Sequence, residues 1–288
     1  IIILLCCLAT IAAGKAQNDI DGLLAAGVED TQRFTDDYLA PGTNGLMYSI
    51  NANWFNTAVV KPLGGFEISV IANAATIGNE NKSFLMNTDL YNNVVFQQGP
   101  NAQNVATVLG VNNPNIDVVI TYDDPIFGQQ TEQITLPDGL ASENINMLPA
   151  AFIQGAVGLI KGTEIKARFI PKIKTKDVSL ALYGFGLQHE FTKWLPADKL
   201  WPVAISGLVA YTHVDGSYDI TSSSLVSGEN QRLESAMETW LFQLLVSTQL
   251  PIINFYGGVG YIKGESKSDI LGTYSVSNGL ITGDEIVD

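Results

Sequence analysis

Thr163-Glu164-Ile165-Lys166-Ala167-Arg168-Phe169-Ile170 changes character at every second position. Thr163, Ile165, Ala167 and Phe169 alternate with Glu164, Lys166, Arg168 and Ile170. Successive side chains of a β-strand point to opposite sides of the sheet, so a period of two predicts a strand with two chemically different faces. Segments of similar length, with weaker alternation in places, recur at 45–57, 66–77, 147–160, 178–191, 203–213, 234–250 and 253–263. The fold class this predicts is all-β: an antiparallel transmembrane β-barrel, apolar on its lipid face and mixed on its inner face.

Composition points the same way. The 288 residues are 46% hydrophobic and only 15% charged, with a mean hydropathy of +0.17. After residue 16 no uninterrupted apolar run reaches the 18 residues a membrane helix needs. A barrel spreads its apolar residues over alternate positions, which reconciles the two observations. The net charge of −14 argues against nucleic acid as a partner.

The one continuous apolar stretch is Ile1–Gly14, followed by Lys15 and Ala16. Its length fits the apolar core of an export signal, and Gly14 and Ala16 supply the small residues of a cleavage site before Gln17. Residues 1–16 are therefore expected to be a partial signal peptide, with the N-terminal strand of a soluble fold as the alternative. Cys6 and Cys7 both lie in it, so the exported chain would hold together without disulfides. Leu5 before Cys6 argues against lipidation at that cysteine.

Within 17–44, Ile20, Leu23, Leu24, Gly27 and Val28, then Phe34, Tyr38 and Leu39, recur at helical spacing, and Pro41-Gly42 reads as the stop. This stretch is expected to form a short helical plug, with the barrel occupying 45–288. The first strand would place Leu46, Tyr48, Ile50, Ala52 and Trp54 on one face, with Asn51 and Asn53 on the other. In the second strand Phe66, Ile68 and Val70 oppose Glu67, Ser69 and Asn73. Residues 78–146, rich in Asn, Gln, Asp and Pro, read as a long loop, a lid or a small inserted subdomain. The acidic tail Leu280–Asp288 lacks strand character, so closing strands are expected beyond it and the whole barrel would have at least ten.

Functional candidates face inward: Asn51, Asn53, Glu67, Asn73, Glu164, Lys166 and Arg168 are expected to line the lumen, because charges on a lipid face cost several kcal/mol. Trp54, Trp194, Trp201, Tyr211 and Tyr261 are expected at the membrane interfaces. No catalytic motif emerges, and the expectation is a protein that is not an enzyme, without cofactor. His189-Glu190 lacks the second histidine of a zinc-protease helix. His213, Asp215 and Asp219 fit no defined metal spacing and read as a solvated loop. Gly184-Phe185-Gly186 and Gly257-Gly258-Val259-Gly260 open no helix, which a nucleotide loop requires.

The order of signal peptide, short helix, Tyr38-Leu39-Ala40-Pro41 and first strand at 45–58 resembles a group of Gram-negative outer-membrane barrels. These are similar in turn to the long-chain fatty-acid transporter family. The run Gly184-Phe185-Gly186-Leu187-Gln188-His189-Glu190 leading to Trp194-Leu195-Pro196 looks like barrel segments of that group. The resemblance implies a monomeric barrel in the cell outer membrane, with an N-terminal plug. Its partners would be membrane lipid and small apolar solutes. Two alternatives remain open: a structural barrel that binds another surface protein through 78–146, and a secreted soluble β-sandwich.

Overall fold

A computed structural model describes residues 23–124, 127–175, 177–196, 202–219, 226–227, 229–250, 252–277 and 282–287. The expected signal peptide and Trp201 lie outside the described residues. One long helix, α1 (Val28–Asn51), leads through an extended strap at 52–65 into β1 (Phe66–Thr76). Five short strands follow: β2 (Ser83–Asn87), β3 (Val94–Phe96), β4 (Ala102–Ala106), β5 (Asp117–Asp124) and β6 (Gly128–Thr135). Then come β7 (Met147–Gly158), β8 (Thr163–Lys174), β9 (Val178–Glu190) and β10 (Val203–Asp219). The described strands end with β11 (Val226–Ser227), β12 (Arg232–Thr248), β13 (Tyr256–Ser277) and β14 (Thr282–Val287).

The chain is thus mostly antiparallel β, with a nine-stranded sheet curled into a half-barrel. Its order is β1-β7-β8-β9-β10-β12-β13-β11, with β14 also on β13. Lys161 and Gly162, at φ 34° and 78°, make the tight two-residue turn between β7 and β8. Two strands outrun their sequence-predicted ends, β10 to Asp219 and β13 to Ser277, so Asp215 and Asp219 stand on a strand and not in a loop. The tail read as lacking strand character contains β14, which pairs with β13 from Gly272 to Ser277. A strand at a sheet edge needs backbone pairing more than it needs a two-faced pattern.

The predicted first strand at 45–57 is corrected: 45–51 completes α1, and 52–65 runs as the strap. The sequence supports two periods there. Leu46, Tyr48, Ile50, Ala52 and Trp54 fit a strand, whereas Met47, Ile50, Asn51 and Trp54 fit one helical face. The helical set is the one that is buried. Pro41 sits inside the helix and does not end it. The end comes instead at Ala52, followed by Asn53 at φ 58°, the left-handed position that asparagine tolerates best after glycine.

α1 joins two cores. Its first half carries Phe34 and Tyr38 into a cluster with Met86, Val94, Val105, Val118, Ile120 and Leu136 of 78–146. That stretch is a small subdomain of two sheets, β2-β4 and β3-β5-β6. Asp30 fixes it to the helix start by accepting hydrogen bonds from the backbone N–H of Asn92 and Asn93, the latter at 2.7 Å. Burial pushes the Tyr91 phenol upward; Asp37 adds to the shift and Arg33, over the ring at 5.9 Å, opposes it. The second half of α1 lies on the concave face of the large sheet, with Met47 and Ile50 against Phe152, Ile170, Leu182, Val214 and Met237.

Phe34 is fully buried and stacks on Tyr38 at 5.6 Å. Phe34→Ala is expected to cost about 3–5 kcal/mol and to open 78–146 to limited proteolysis. Unchanged protection of that stretch would show that the subdomain stands without the helix.

Candidate functional site

Each strand of the large sheet separates its residues by face. On β8, Glu164, Lys166, Arg168 and Ile170 are buried on the concave side, while Ile165 and Phe169 are exposed on the convex side. The concave residues do not surround an open channel. They converge on the C-terminal end of α1 and on the strap.

Arg168 is the centre of this arrangement. It is 1% exposed, lies between Trp54 and Phe152 with its guanidinium 3.8 and 4.3 Å from their ring centroids, and takes Gln154 Oε1 at 2.7 Å. Its remaining donors reach Ile50 O and Ala52 O, the latter at 2.7 Å. These carbonyls end the helix, where orphan acceptors and the negative end of the dipole attract a cation. Lys166 Nζ donates to Trp54 O at 2.8 Å and pairs with Glu164 at 3.1 Å.

The rest of the strap is held in the same way, through its main chain. Gln188 donates to Thr57 O at 3.1 Å, and Ser206 Oγ to Ala58 O. Ser247 Oγ accepts from Ala58 N at 3.0 Å, Glu190 from Val60 N at 3.0 Å, and Glu164 from Lys61 N at 2.9 Å. Lys61 closes the network on Glu67 at 3.0 Å. Asn51 hydrogen-bonds Thr239 at 2.8 Å. Asn53 pairs with Asn73 near the sheet margin, and Asn73 donates to Ser49 O at 3.1 Å.

Trp54 was expected at a membrane interface, and this is corrected: it is fully buried on the concave face. Its ring lies against Gly184 and Gly186, where an added Cβ would come within 3.3 and 2.9 Å of ring carbons. The glycine pair is a seat for one indole. Sequence reading missed Lys61, Gln154, Gln188, Glu190, Ser206, Thr212, Thr239 and Ser247. The strand residues among them share one signal, a polar side chain on the inward parity of an alternating strand.

The convex face is apolar across the strand pairing. One row runs Phe66, Val157, Ile165, Leu187, Val209, Phe242, Tyr261 over seven strands without a polar residue. The next row is Ile68, Gly155, Ala167, Phe185, Tyr211, Trp240 and then Lys263. The third is Val70, Ile153, Phe169, Tyr183 and then His213, Glu238 and Glu265. Polar residues thus begin just beyond Tyr211 on β10, Trp240 on β12 and Tyr261 on β13, while on β9 Tyr183 is followed by Ala181 and then Ser179. Tyr211 lies 6.5 Å from Tyr183 and 5.2 Å from Trp240. At the other end of β9, exposed Trp194 donates to His189 Nε2 at 2.7 Å.

Among the described residues no group of three or more His, Cys, Asp or Glu side chains is placed to hold a metal ion. His213 lies between Asp215 at 2.9 Å and Glu238 at 3.4 Å, and Asp219 lies 3.7 Å from Lys174 instead. A cleft of about 840 Å³ separates α1 from β13, lined by Glu29, Asp36, Asp37, Lys267 and Asp269. Across it Gln32 donates to Ser268 O at 2.7 Å and accepts from Ile270 N at 3.3 Å, as a neighbouring strand would.

Residues 1–287 match a family described as "Family of unknown function (DUF6588)". No curated protein and no solved structure gives a significant match.

Arg168→Gln is expected to cost at least about 3 kcal/mol, because hydrogen bonds to a charged donor contribute about 1.5–3 kcal/mol each and buried carbonyls are left unpaired. Urea unfolding measures the loss, and a red shift of tryptophan emission would report Trp54 leaving its seat. A variant as stable as the parent would show that the clamp is not what holds the strap.

Proposed function

We propose that this chain, which belongs to the DUF6588 family of unknown function, is an outer-membrane β-barrel protein of a Gram-negative bacterium. In this reading its lumen is closed by its own helix and strap, and release of that plug admits small apolar solutes. The slanted boundary on the convex face carries the reading. From β9 to β13 the aromatic border of Tyr183, Tyr211, Trp240 and Tyr261 moves by two pairing rows across three strand steps. Strands about 4.8 Å apart and tilted by about 35–45° cross a level plane about 1.0–1.4 residues further along at each neighbour. Three steps give about three to four residues, which matches two rows. A level plane bordered by Tyr, Tyr, Trp and Tyr is what a bilayer surface imposes on tilted strands.

Two magnitudes support it. Soluble monomers rarely expose apolar patches beyond a few hundred Å², and this one crosses seven strands. From Tyr183 on β9 to Phe191, the first residue past the strand's end, is eight residues, about 26 Å at 3.3 Å per residue, or about 20 Å after tilt. An apolar band of barrel proteins is about 25 Å tall. A bilayer tolerates no open strand edge, so the reading entails partners for the edge of β1 and for the stretch of β13 before Gly272, which β14 does not pair. The helix, the strap and their polar clamp on the inner face supply the plug.

Leu244→Arg, four residues inside the Trp240 boundary and exposed on the convex face, is expected to lower stability in lipid vesicles by about 2–4 kcal/mol, the cost of a cation near the bilayer midplane. In a water-soluble protein the same exposed substitution would be nearly neutral, and that result would overturn the membrane reading. For transport, proteoliposomes carrying the parent are expected to take up apolar solutes slowly, and those carrying Arg168→Gln faster. Impermeability of both would sink the channel. It would leave a structural barrel that acts through 78–146, whose exposed Leu85, Leu90 and Val95 offer a contact surface.

A further inference from the structure

Just beyond the aromatic boundary, the convex face carries a groove of about 330 Å³ lined by Lys172, Ser179, Asp215, Ser217, Glu234, Lys267 and other residues of five strands. Its floor follows two pairing rows. One is Ala181, Asp215, Ala236, Lys267; the other is Ser179, Ser217, Glu234, Asp269. Both lie directly above Tyr183, so a molecule seated here would have its lower end over Tyr183 and Phe169. The volume is at the small end of pockets that hold small molecules.

The charges of the groove are arranged unevenly. Asp215 is bonded to His213 at 2.9 Å, Glu234 to Arg232 at 2.6 Å, and Lys267 to Asp269 at 3.0 Å. Lys172 makes no ion pair among the described residues. Ser179 and Ser217, in the same groove, bring their hydroxyls within 2.8 Å of each other. A free ammonium in one groove with two hydroxyls is suited to a phosphate. The exposed carboxylates of Asp215, on the same strand as Ser217, and of Glu234, on the next strand, suit a primary ammonium and oppose a purely anionic group.

We propose that this groove seats the phosphoethanolamine headgroup of a membrane phospholipid. The phosphate lies against Lys172 and the Ser179–Ser217 pair, and the ammonium, one strand further across, against Asp215 and Glu234. The acyl chains continue down the apolar rows below. Phosphatidylglycerol would bring an anion to the carboxylates without a cation to satisfy them. Phosphatidylcholine has no N–H to donate. The proposal rests on the membrane reading above and adds a lipid class to it.

Native mass spectrometry of the full chain in detergent, with equal phosphatidylethanolamine, phosphatidylcholine and phosphatidylglycerol of matched chains, tests it. The ethanolamine lipid is expected to be retained about fivefold or more over the others, and Lys172→Glu to cut that retention about tenfold, as loss of a charge-assisted contact would. Ser217→Ala should weaken it without altering the groove's charge. Insertion into phosphatidylcholine vesicles, read by heat-modifiable gel mobility, should be the same for parent and variants. If the protein inserts but holds the three lipids equally, or Lys172→Glu retains as much, the headgroup assignment falls and the membrane reading stands. Failure to insert overturns both. Displacement of the lipid by equimolar free phosphoethanolamine would identify a soluble ligand and overturn the lipid.

Discussion

The guanidinium of Arg168 and the helix end it meets are the constraint on which the rest of the interior depends. A sheet that curls this strongly leaves a concave surface, and here that surface carries charged and polar residues. Arg168 could not remain there unpaired, since burying an isolated cation costs several kcal/mol. The end of α1 supplies what it needs, carbonyls that have no partner within the helix. Satisfying the arginine and stopping the helix are one event. From it follow the position of Trp54, the path of the strap and the direction from which β1 enters the sheet.

The two faces of the sheet obey different rules. Inside, polar side chains are kept because most find a hydrogen-bond partner, many of them on the backbone of α1 and the strap, so the density of hydrogen bonds decides which residues fit. Outside, neighbouring strands repeat the same apolar choice, with few hydrogen bonds to satisfy. A strand such as β8 serves both demands with alternate residues, which explains why Ile165 and Phe169 stand beside Glu164, Lys166 and Arg168. The same parity brings Glu67 and Glu164 into range of Lys61, although these residues come from three separate segments.

Much of the sheet was legible in the sequence. Thr163–Ile170, the second strand and the inward parity of the charged triplet could be read from alternation alone. The segment at 45–57 could not, because Ile50 and Trp54 satisfy both a period of two and a helical face. Only the tertiary partner decides, and that partner is more than a hundred residues away in Arg168. Trp54 illustrates the same limit: a tryptophan reads as interfacial until the paired glycines of β9 are known to lie under it. The polar composition of 78–146 hid a small core, because its apolar residues are few and are completed by α1. Tyr183 and Trp240 escaped notice since the boundary they mark appears only when strands are aligned by their pairing.

The strap is gripped by its backbone, and this gives the molecule a ruler. Moving back along β8 from Arg168 to Lys166 advances the strap from Ala52 O to Trp54 O, two residues for two. Side chains at the exposed strap positions Asn56, Pro62 and Leu63 are therefore free to drift over evolutionary time. Trp54, Ala58, Val60 and Lys61 are held by packing or charge, and the length of the strap is not free. One residue gained or lost would move carbonyls off their donors all along the line, as a slipped tooth disengages a rack. Relatives of this chain should therefore vary most at exposed strap positions such as Asn56 and Leu63 and hold the residue count of 52–61 fixed.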